Sequence, residues 1–290
     1  MPTPVPSPEP TPRAAGQPTP EEPVEVSRRP VEAQATARAN RGWWDAQAED
    51  YYREHGDFLG DAGFVWGPEG WTEAELGLLG PLDGRRVLEI GGGAGQCARW
   101  VAAQGAEVVS SDLAMGMIRI GLEVDRRLRL KHGPGPIPFI QADGCALPFA
   151  DASFEVVFSS YGVIPFVAEP ELVMREAARV LRPGGRLVFS TTHPVRWALP
   201  DAPGPAGLEV TSSYFDRSPY VELAAGGRVL YVEHHRTLGD RVRAIVAAGL
   251  RVIDVVEPEW PERNEQVWGG WSPLRGRLVP GTAIFVAERG

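Results

Sequence analysis

Residues 87–96 (Val-Leu-Glu-Ile-Gly-Gly-Gly-Ala-Gly-Gln) restrict the fold of this chain more than any other stretch. Residues 87–90 form a short, mostly apolar run of the kind found in a buried strand. Glycines then alternate at Gly91, Gly93 and Gly95, and a helical pattern follows through Cys97, Ala98, Trp100, Val101 and Ala102. Strand, glycine turn and helix together open a nucleotide-binding βαβ unit. A ligand that must approach the backbone needs side chains removed there. The helix start then offers it unpaired N–H groups.

The glycines leave the ligand open. Residues 93–98 also satisfy G-x-G-x-x-[GA], the turn of a nicotinamide dinucleotide site. Asp112 ends the next predicted strand, nineteen residues after Gly93 (112 − 93), where an acid reaches the ribose hydroxyls of either kind of adenosine cofactor. Glu89 tilts the choice. An acid inside the first strand costs burial energy unless a cation or N–H groups meet it. A positively charged ligand would do so.

Motifs in a fixed order carry a family resemblance. The pattern Glu89-x-Gly91-x-Gly93-x-Gly95 resembles the first motif of the class I S-adenosylmethionine-dependent methyltransferases. Asp143-Gly144-Cys145, followed by Leu147-Pro148-Phe149 and Asp151-x-Ser153-Phe154, is similar to that family's approach to the fourth strand. Leu181-Arg182-Pro183-Gly184-Gly185 resembles its entry to the fifth. The resemblance spans roughly residues 87–192, and the wording is similar to the bacterial methyltransferase-type-11 branch that includes quinone-biosynthesis enzymes. It implies S-adenosyl-L-methionine as cofactor, with Glu89 near its cationic end and Asp112 at the ribose. Leu113 and Met117 would lie near the adenosine, Asp143 at the adenine amino group, and Gly144 and Cys145 beside the ring. Ser160, with Tyr161 and Gly162, would face the ligand crevice from the end of the fourth strand. It also implies a Rossmann-like α/β fold, a seven-stranded, mostly parallel sheet with its last strand antiparallel and helices on both faces. An NAD(P)-dependent oxidoreductase using Gly93, Gly95 and Asp112, and a cofactor-binding protein without turnover, are the alternatives.

Residues 1–40 are rich in Pro, Thr, Ser, Glu, Ala and Gln and predict a disordered, partly polyproline tail. The domain is expected over 41–290. A helical, aromatic-rich lid covers 41–80, with helices at 43–54 and 72–79. Thr72 and Glu75 are spaced as a capping box for the second of these. A cap insert, 193–236, follows the fifth predicted strand and contains two alternating stretches, 209–215 and 228–234, that read as an antiparallel pair. A second, irregular insert at 257–280 carries Trp260, Trp268 and Trp271.

Charge and composition narrow the partners. A net charge of −9 and a pI near 5.2 disfavour a polyanion, so a small molecule is expected and nucleic acid is not. Two cysteines make no disulfide framework and suit a reducing cytoplasm. No apolar run approaches the ~18 residues of a membrane span, and no basic-then-apolar leader is present. The five histidines lack metal-ligand spacing. For chemistry, His193 is the candidate general base, placed just after the fifth strand at the ligand edge. Equally, it could order the Thr192-His193-Pro194 turn. Tyr161 could orient an acceptor. The cap's Trp197, Tyr214, Phe215, Tyr220 and Tyr231 suit an apolar or aromatic molecule. No partner protein is indicated.

Overall fold

The computed structural model describes residues 21–130 and 135–290. A short strand, β1 (Glu25–Arg28), leads into a long helix, α1 (Ala33–Leu59), and then a one-turn helix, α2 (Glu73–Leu76). Strict alternation follows: β2 (Arg86–Ile90), α3 (Gln96–Ala103), β3 (Glu107–Asp112), α4 (Met115–Leu130) and β4 (Phe139–Gln141). Next come β5 (Phe154–Ser160), α5 (Pro170–Val180) and β6 (Leu181–Thr192). A hairpin of β7 (Tyr220–Leu223) and β8 (Val229–Glu233) precedes α6 (Leu238–Ala247) and β9 (Leu250–Val256). The one-turn α7 (Pro273–Gly276) and β10 (Thr282–Arg289) complete the chain.

Seven strands form one sheet in the order β4-β3-β2-β5-β6-β10-β9. β2, β3, β4, β5 and β6 are parallel, and β10 runs antiparallel between β6 and β9. The predicted antiparallel last strand is therefore present. A dinucleotide fold would instead continue with parallel strands in a second mononucleotide half. Strand alternation feeds two cores, one on each face of the sheet. Leu88, Val157, Phe189 and Phe285 enter one cluster, while their neighbours Val87, Phe158, Val188 and Ile284 enter the other. Strands buried on both faces read as continuous apolar runs, which is why these were visible in the sequence. The chain leaves β2 on one side for β3 and returns on the other as β5. That reversal opens a crevice at the C-terminal ends of β2 and β5.

Three boundaries differ from the sequence expectation. The first 20 residues of the expected 1–40 tail lie outside the described residues, but residues 25–40 are not a tail. β1 pairs antiparallel with β7, Val26 opposite Glu222, and completes a three-stranded sheet β1-β7-β8. The helix expected at 43–54 begins ten residues earlier, at Ala33. Its added turns are held by buried polar contacts rather than by an apolar stripe, so periodicity could not show them. Asn40, 2% exposed, donates through Nδ2 to the carbonyls of Phe166 (2.8 Å) and Val232 (2.9 Å) and accepts the Val232 N–H at 2.8 Å. Thr36 Oγ1 meets His234 Nε2 at 3.2 Å. Finally, residues 209–215 are not a strand. Val210 and Phe215 are 77% and 70% exposed with no sheet to cover them, and the hairpin pairs 220–223 with 229–233 instead.

The Thr72 capping box is present, closed by Glu75, and the helix it starts ends early, at Leu76. A buried ion pair, Arg99 Nε to Asp125 Oδ1 at 2.5 Å, locks α3 against α4. No helix among the described residues is long and apolar enough to cross a membrane. Replacing Asn40 with Ala leaves the Val232 amide and two carbonyls buried and unpaired. We expect a loss of about 3 kcal/mol, at roughly 1 kcal/mol or more per orphaned group, read from urea unfolding of the wild type and Asn40→Ala.

Candidate functional site

The crevice opens into a cavity of about 370 Å³, a size suited to small molecules. Its floor is the glycine turn. Gly91, Gly93 and Gly95 all adopt left-handed backbone, with φ of +69°, +56° and +76°. A Cβ at Gly91 would stand 2.7 Å from the Val163 nitrogen, so the segment after β5 lies directly against the turn. The intervening Gly92 is just as constrained. A Cβ there would meet Ser110 Oγ at 2.1 Å and Glu89 Oε2 at 2.3 Å. Gly92 was missed from the sequence because only the alternate glycines fit a motif. The unbroken run of three was the available signal.

Glu89 lies under this turn, 2% exposed, and lines the cavity. Ser110 Oγ donates to its Oε2 at 2.6 Å, and Ser111 Oγ donates to its carbonyl at 2.8 Å. Burial pushes the carboxyl up to about 8; the Ser110 hydrogen bond and distant Arg99 pull it down without offsetting burial, and Asp112 pushes it further up. Asp112 accepts the Gly93 N–H on Oδ2 and the Ala114 N–H on Oδ1, both at 2.8 Å. It thereby ties the glycine turn to the start of α4, and burial raises its carboxyl too.

Of the predicted cofactor residues, all but Gly95 and Cys145 line this one cavity. Met117 packs its methyl group where a Cβ at Gly93 would stand 3.0 Å away. Asp143 Oδ1 accepts the Cys145 N–H at 2.8 Å, and its carbonyl accepts the Ala146 N–H at 2.9 Å, fixing a tight turn. Cys145 faces the other way. It packs against the core cluster containing Leu147, and burial pushes its thiol up to about 12. Gly95 serves as the start of α3, behind the turn. Ser160 Oγ donates to the Val65 carbonyl at 2.7 Å, attaching the segment before α2 to the end of β5.

The two catalytic candidates part company. Tyr161 lines the cavity and holds an uncommon left-handed backbone, φ +53°, with its N–H on Ser190 Oγ at 3.0 Å. A non-glycine residue there stores about 1–3 kcal/mol and often marks a functional position. His193 does not line the cavity. Its Nδ1 accepts the Val195 N–H at 3.1 Å and its Nε2 lies 2.7 Å from Glu257 Oε1. Burial lowers its pKa despite Glu257. His193 caps the short helix Pro194–Ala198 and orders the turn, the second of the two roles foreseen for it.

The far wall comes from segments that no motif marked. α1 supplies Trp44 and Tyr51, the cap supplies Tyr231, and the second insert supplies Trp268, whose ring stacks on His55 at 4.4 Å. A charged cluster stands among these rings. Arg196 lies 3.1 Å from Asp201 Oδ2 and 3.7 Å from Glu233 Oε2, and the Tyr231 hydroxyl donates to Glu233 Oε1 at 2.5 Å. Burial opposes the charge on Arg196, but the two carboxylates more than offset it and raise its pKa.

Residues 88–189 match the profile of a family described as a methyltransferase domain. The demethylmenaquinone methyltransferase of Clavibacter sepedonicus is 40% identical over 124 residues, 42% of this chain and 48% of that protein. The biotin biosynthesis bifunctional protein of Cellvibrio japonicus is also 40% identical, over 117 residues, 40% of this chain and 22% of its own. The chain thus spans about half the length, or less, of these curated relatives. A solved S-adenosylmethionine-dependent methyltransferase from Mesorhizobium loti is 28% identical, with a TM-score of 0.59 over 77% of this chain and all of its own (100%).

Glu89 gives the site a pH signature. Its folded pKa of about 8 exceeds the ordinary value of 4.5, so the folded state holds a proton that the unfolded state gives up. The Glu89 contribution to stability is full below about pH 4.5 and is lost as pH rises towards 8. Glu89→Gln has no such proton, so thermal melts of the empty protein should show the wild type losing several degrees relative to Glu89→Gln across that window. Parallel curves would place the Glu89 titration elsewhere.

Proposed function

Residues 88–189 form a domain of the class I S-adenosylmethionine-dependent methyltransferase family, and on that premise we propose that the protein transfers a methyl group from S-adenosylmethionine to a small planar acceptor. One observation carries the cofactor assignment. Glu89 is a buried carboxyl on the cavity wall with no cation in contact, under a turn that admits no side chain at Gly92. The residues present fit the cofactor. Glu89 would hold the cationic amino acid end, Asp112 the ribose hydroxyls, and Asp143 with Gly144 the adenine edge, while Met117 walls the adenosine. When bound, the cofactor supplies an electrophilic methyl group on a sulfonium. This chain's residues then place a nucleophile in line and exclude water.

For the acceptor, the cavity speaks more than the relatives do. Two relatives with different named pathways are equally similar, at 40% identity over short segments, so that similarity does not select an acceptor. Trp44, Tyr51, Tyr231 and Trp268 offer flat apolar faces, and Arg196 with Glu233 offers a polar anchor. We assign a hydroxylated aromatic molecule of the phenol or quinol type. The net charge of −9 supports a small molecule over nucleic acid.

Calorimetry on the full chain tests the cofactor. S-adenosylmethionine and S-adenosylhomocysteine should bind, and NADH should not. Near pH 7 Glu89 is mostly protonated, so placing a cation beside it expels close to one proton. Binding heats measured in buffers of different ionisation enthalpy should report that proton, and Glu89→Gln should abolish it. Asp143→Ala should weaken S-adenosylhomocysteine by about tenfold, or 1.4 kcal/mol. Binding of NADH alone would sink the methyltransferase assignment. Transfer of labelled methyl to a panel of phenols and 1,4-naphthohydroquinone then tests the acceptor class.

A further inference from the structure

Beside the cavity, towards β6 and β10, lies a carboxyl group with no part in cofactor binding. Glu69, in the segment between α1 and α2, is 1% exposed. Its Oε2 accepts a hydrogen bond from Thr282 Oγ1 at 2.6 Å. Its Oε1 faces the backbone of Gly281 and Thr282 without an aligned hydrogen bond. Two glycines make room for it. A Cβ at Gly281 would stand 2.5 Å from Oε1, and one at Gly67 would stand 2.7 Å from Oε2. Burial raises Glu69 above the ordinary glutamate range. A carboxyl with no cation and one oxygen unsatisfied is a costly way to anchor a loop.

Thr282 links this group to the cavity. Its hydroxyl oxygen is 2.9 Å from the phenol oxygen of Tyr161. When Thr282 gives its one proton to ionised Glu69, the phenol must be the donor in that contact. The phenol also lies 3.2 Å from the Gly281 carbonyl, which accepts the His193 N–H at 2.8 Å as well, and beside the Thr192 hydroxyl; its contact with Thr282 is shorter than the one with Gly281. With Thr282 donating to Glu69, the donors along this contact path run in one direction, from Tyr161 through Thr282 to Glu69. Tyr161 lines the cavity, and its phenol oxygen keeps a lone pair for another donor. On its own Tyr161 does not supply a phenolate, because burial and nearby Glu69 push its phenol well above the usual range and keep it protonated. A phenol that passes one proton on while taking another never has to ionise.

We propose that Tyr161, Thr282 and Glu69 form a proton relay that carries the acceptor's proton away from the cavity, with Glu69 as its terminal acceptor; this rests on the methyl-transfer reading above. Tyr161 is the catalytic residue of the three, since it alone lines the cavity where the acceptor would lie, and Thr282 and Glu69 act through it. The acceptor's bond to hydrogen breaks as a new O–H bond forms on Tyr161. Tyr161's own proton moves to Thr282, and that of Thr282 moves to Glu69. The net change is one proton from acceptor to carboxylate, with no oxidation or reduction. That count matches transfer of a methyl cation to a protonated nucleophile, which frees one proton per turnover. The steps reverse when product leaves and water enters. The relay thus favours acceptors whose nucleophile carries an ionisable proton, such as a phenol hydroxyl or an activated ring carbon.

The test uses the full chain carrying tyrosine labelled with carbon-13 at Cζ, with and without S-adenosylhomocysteine, as wild type, Glu69→Gln, Thr282→Val and Tyr161→Phe. Tyr161→Phe identifies the Tyr161 signal. In the wild type that signal should step with pH as Glu69 titrates, and the step should vanish in both Glu69→Gln and Thr282→Val. No step in the wild type, or an unchanged step in either variant, overturns the relay. Where 1,4-naphthohydroquinone is turned over, Glu69→Gln should lower kcat by about 100-fold with little change in KM, and should flatten the acid limb of the pH profile. An unchanged kcat and profile overturn the catalytic role. Failure of the wild type to bind S-adenosylhomocysteine removes the methyltransferase reading instead, and the spectra of the free chain still decide whether the three groups are coupled.

Discussion

A carboxyl group placed inside a parallel sheet forces its surroundings to accommodate it, and Glu89 does this for the whole cofactor side. It needs a donor, which Ser110 on the neighbouring strand provides. It needs the backbone above it bare, which fixes Gly92. The turn must then reverse in left-handed conformations at Gly91, Gly93 and Gly95, and a second carboxylate, Asp112, pins that turn to the next helix. Remove the acid and the glycines lose one reason to be there. Keep it, and the bare backbone at Gly92 and the hydroxyl of Ser110 are needed beside it.

This dependence explains why the cofactor half could be read from residues alone. Glu89, Gly91, Gly93, Asp112 and Asp143 occupy ends of consecutive strands, and the structure places them on one cavity. Their spacing is set by local βα geometry. Cys145 shows the limit of such spacing. It follows two cavity residues, yet the Asp143 turn rotates it into the core. His193 fails for a similar reason. Being at the ligand edge of the sheet is a statement about backbone, while its ring is claimed by Val195 and Glu257.

The acceptor half was less legible because its order is long-range. Trp44 reaches the cavity from α1, Tyr231 from the cap and Trp268 from the second insert, and no sequence period links them. The start of α1 was hidden for the same reason. Thr36 and Asn40 look like loop residues until the backbone of β8 and a buried histidine meet them. The relay residues Glu69 and Thr282 are 213 positions apart and become neighbours only when β10 inserts beside β6. A cofactor platform built from local rules and an acceptor wall built from distant ones can vary separately.

The pairing of β1 with β7 also has a consequence in time. Asn40 and the β8 residue it holds, Val232, are 192 positions apart. At a synthesis rate of roughly 5–20 residues per second, the ribosome needs on the order of 10–40 s to make that span. Throughout that interval the N-terminal segment is outside, or leaving, the exit tunnel with an unpaired strand edge and the Trp43 indole without its Tyr231 partner. The first described element to be synthesised is thus among the last to find its partner, and its exposure during translation is a period in which chaperones would have most to protect.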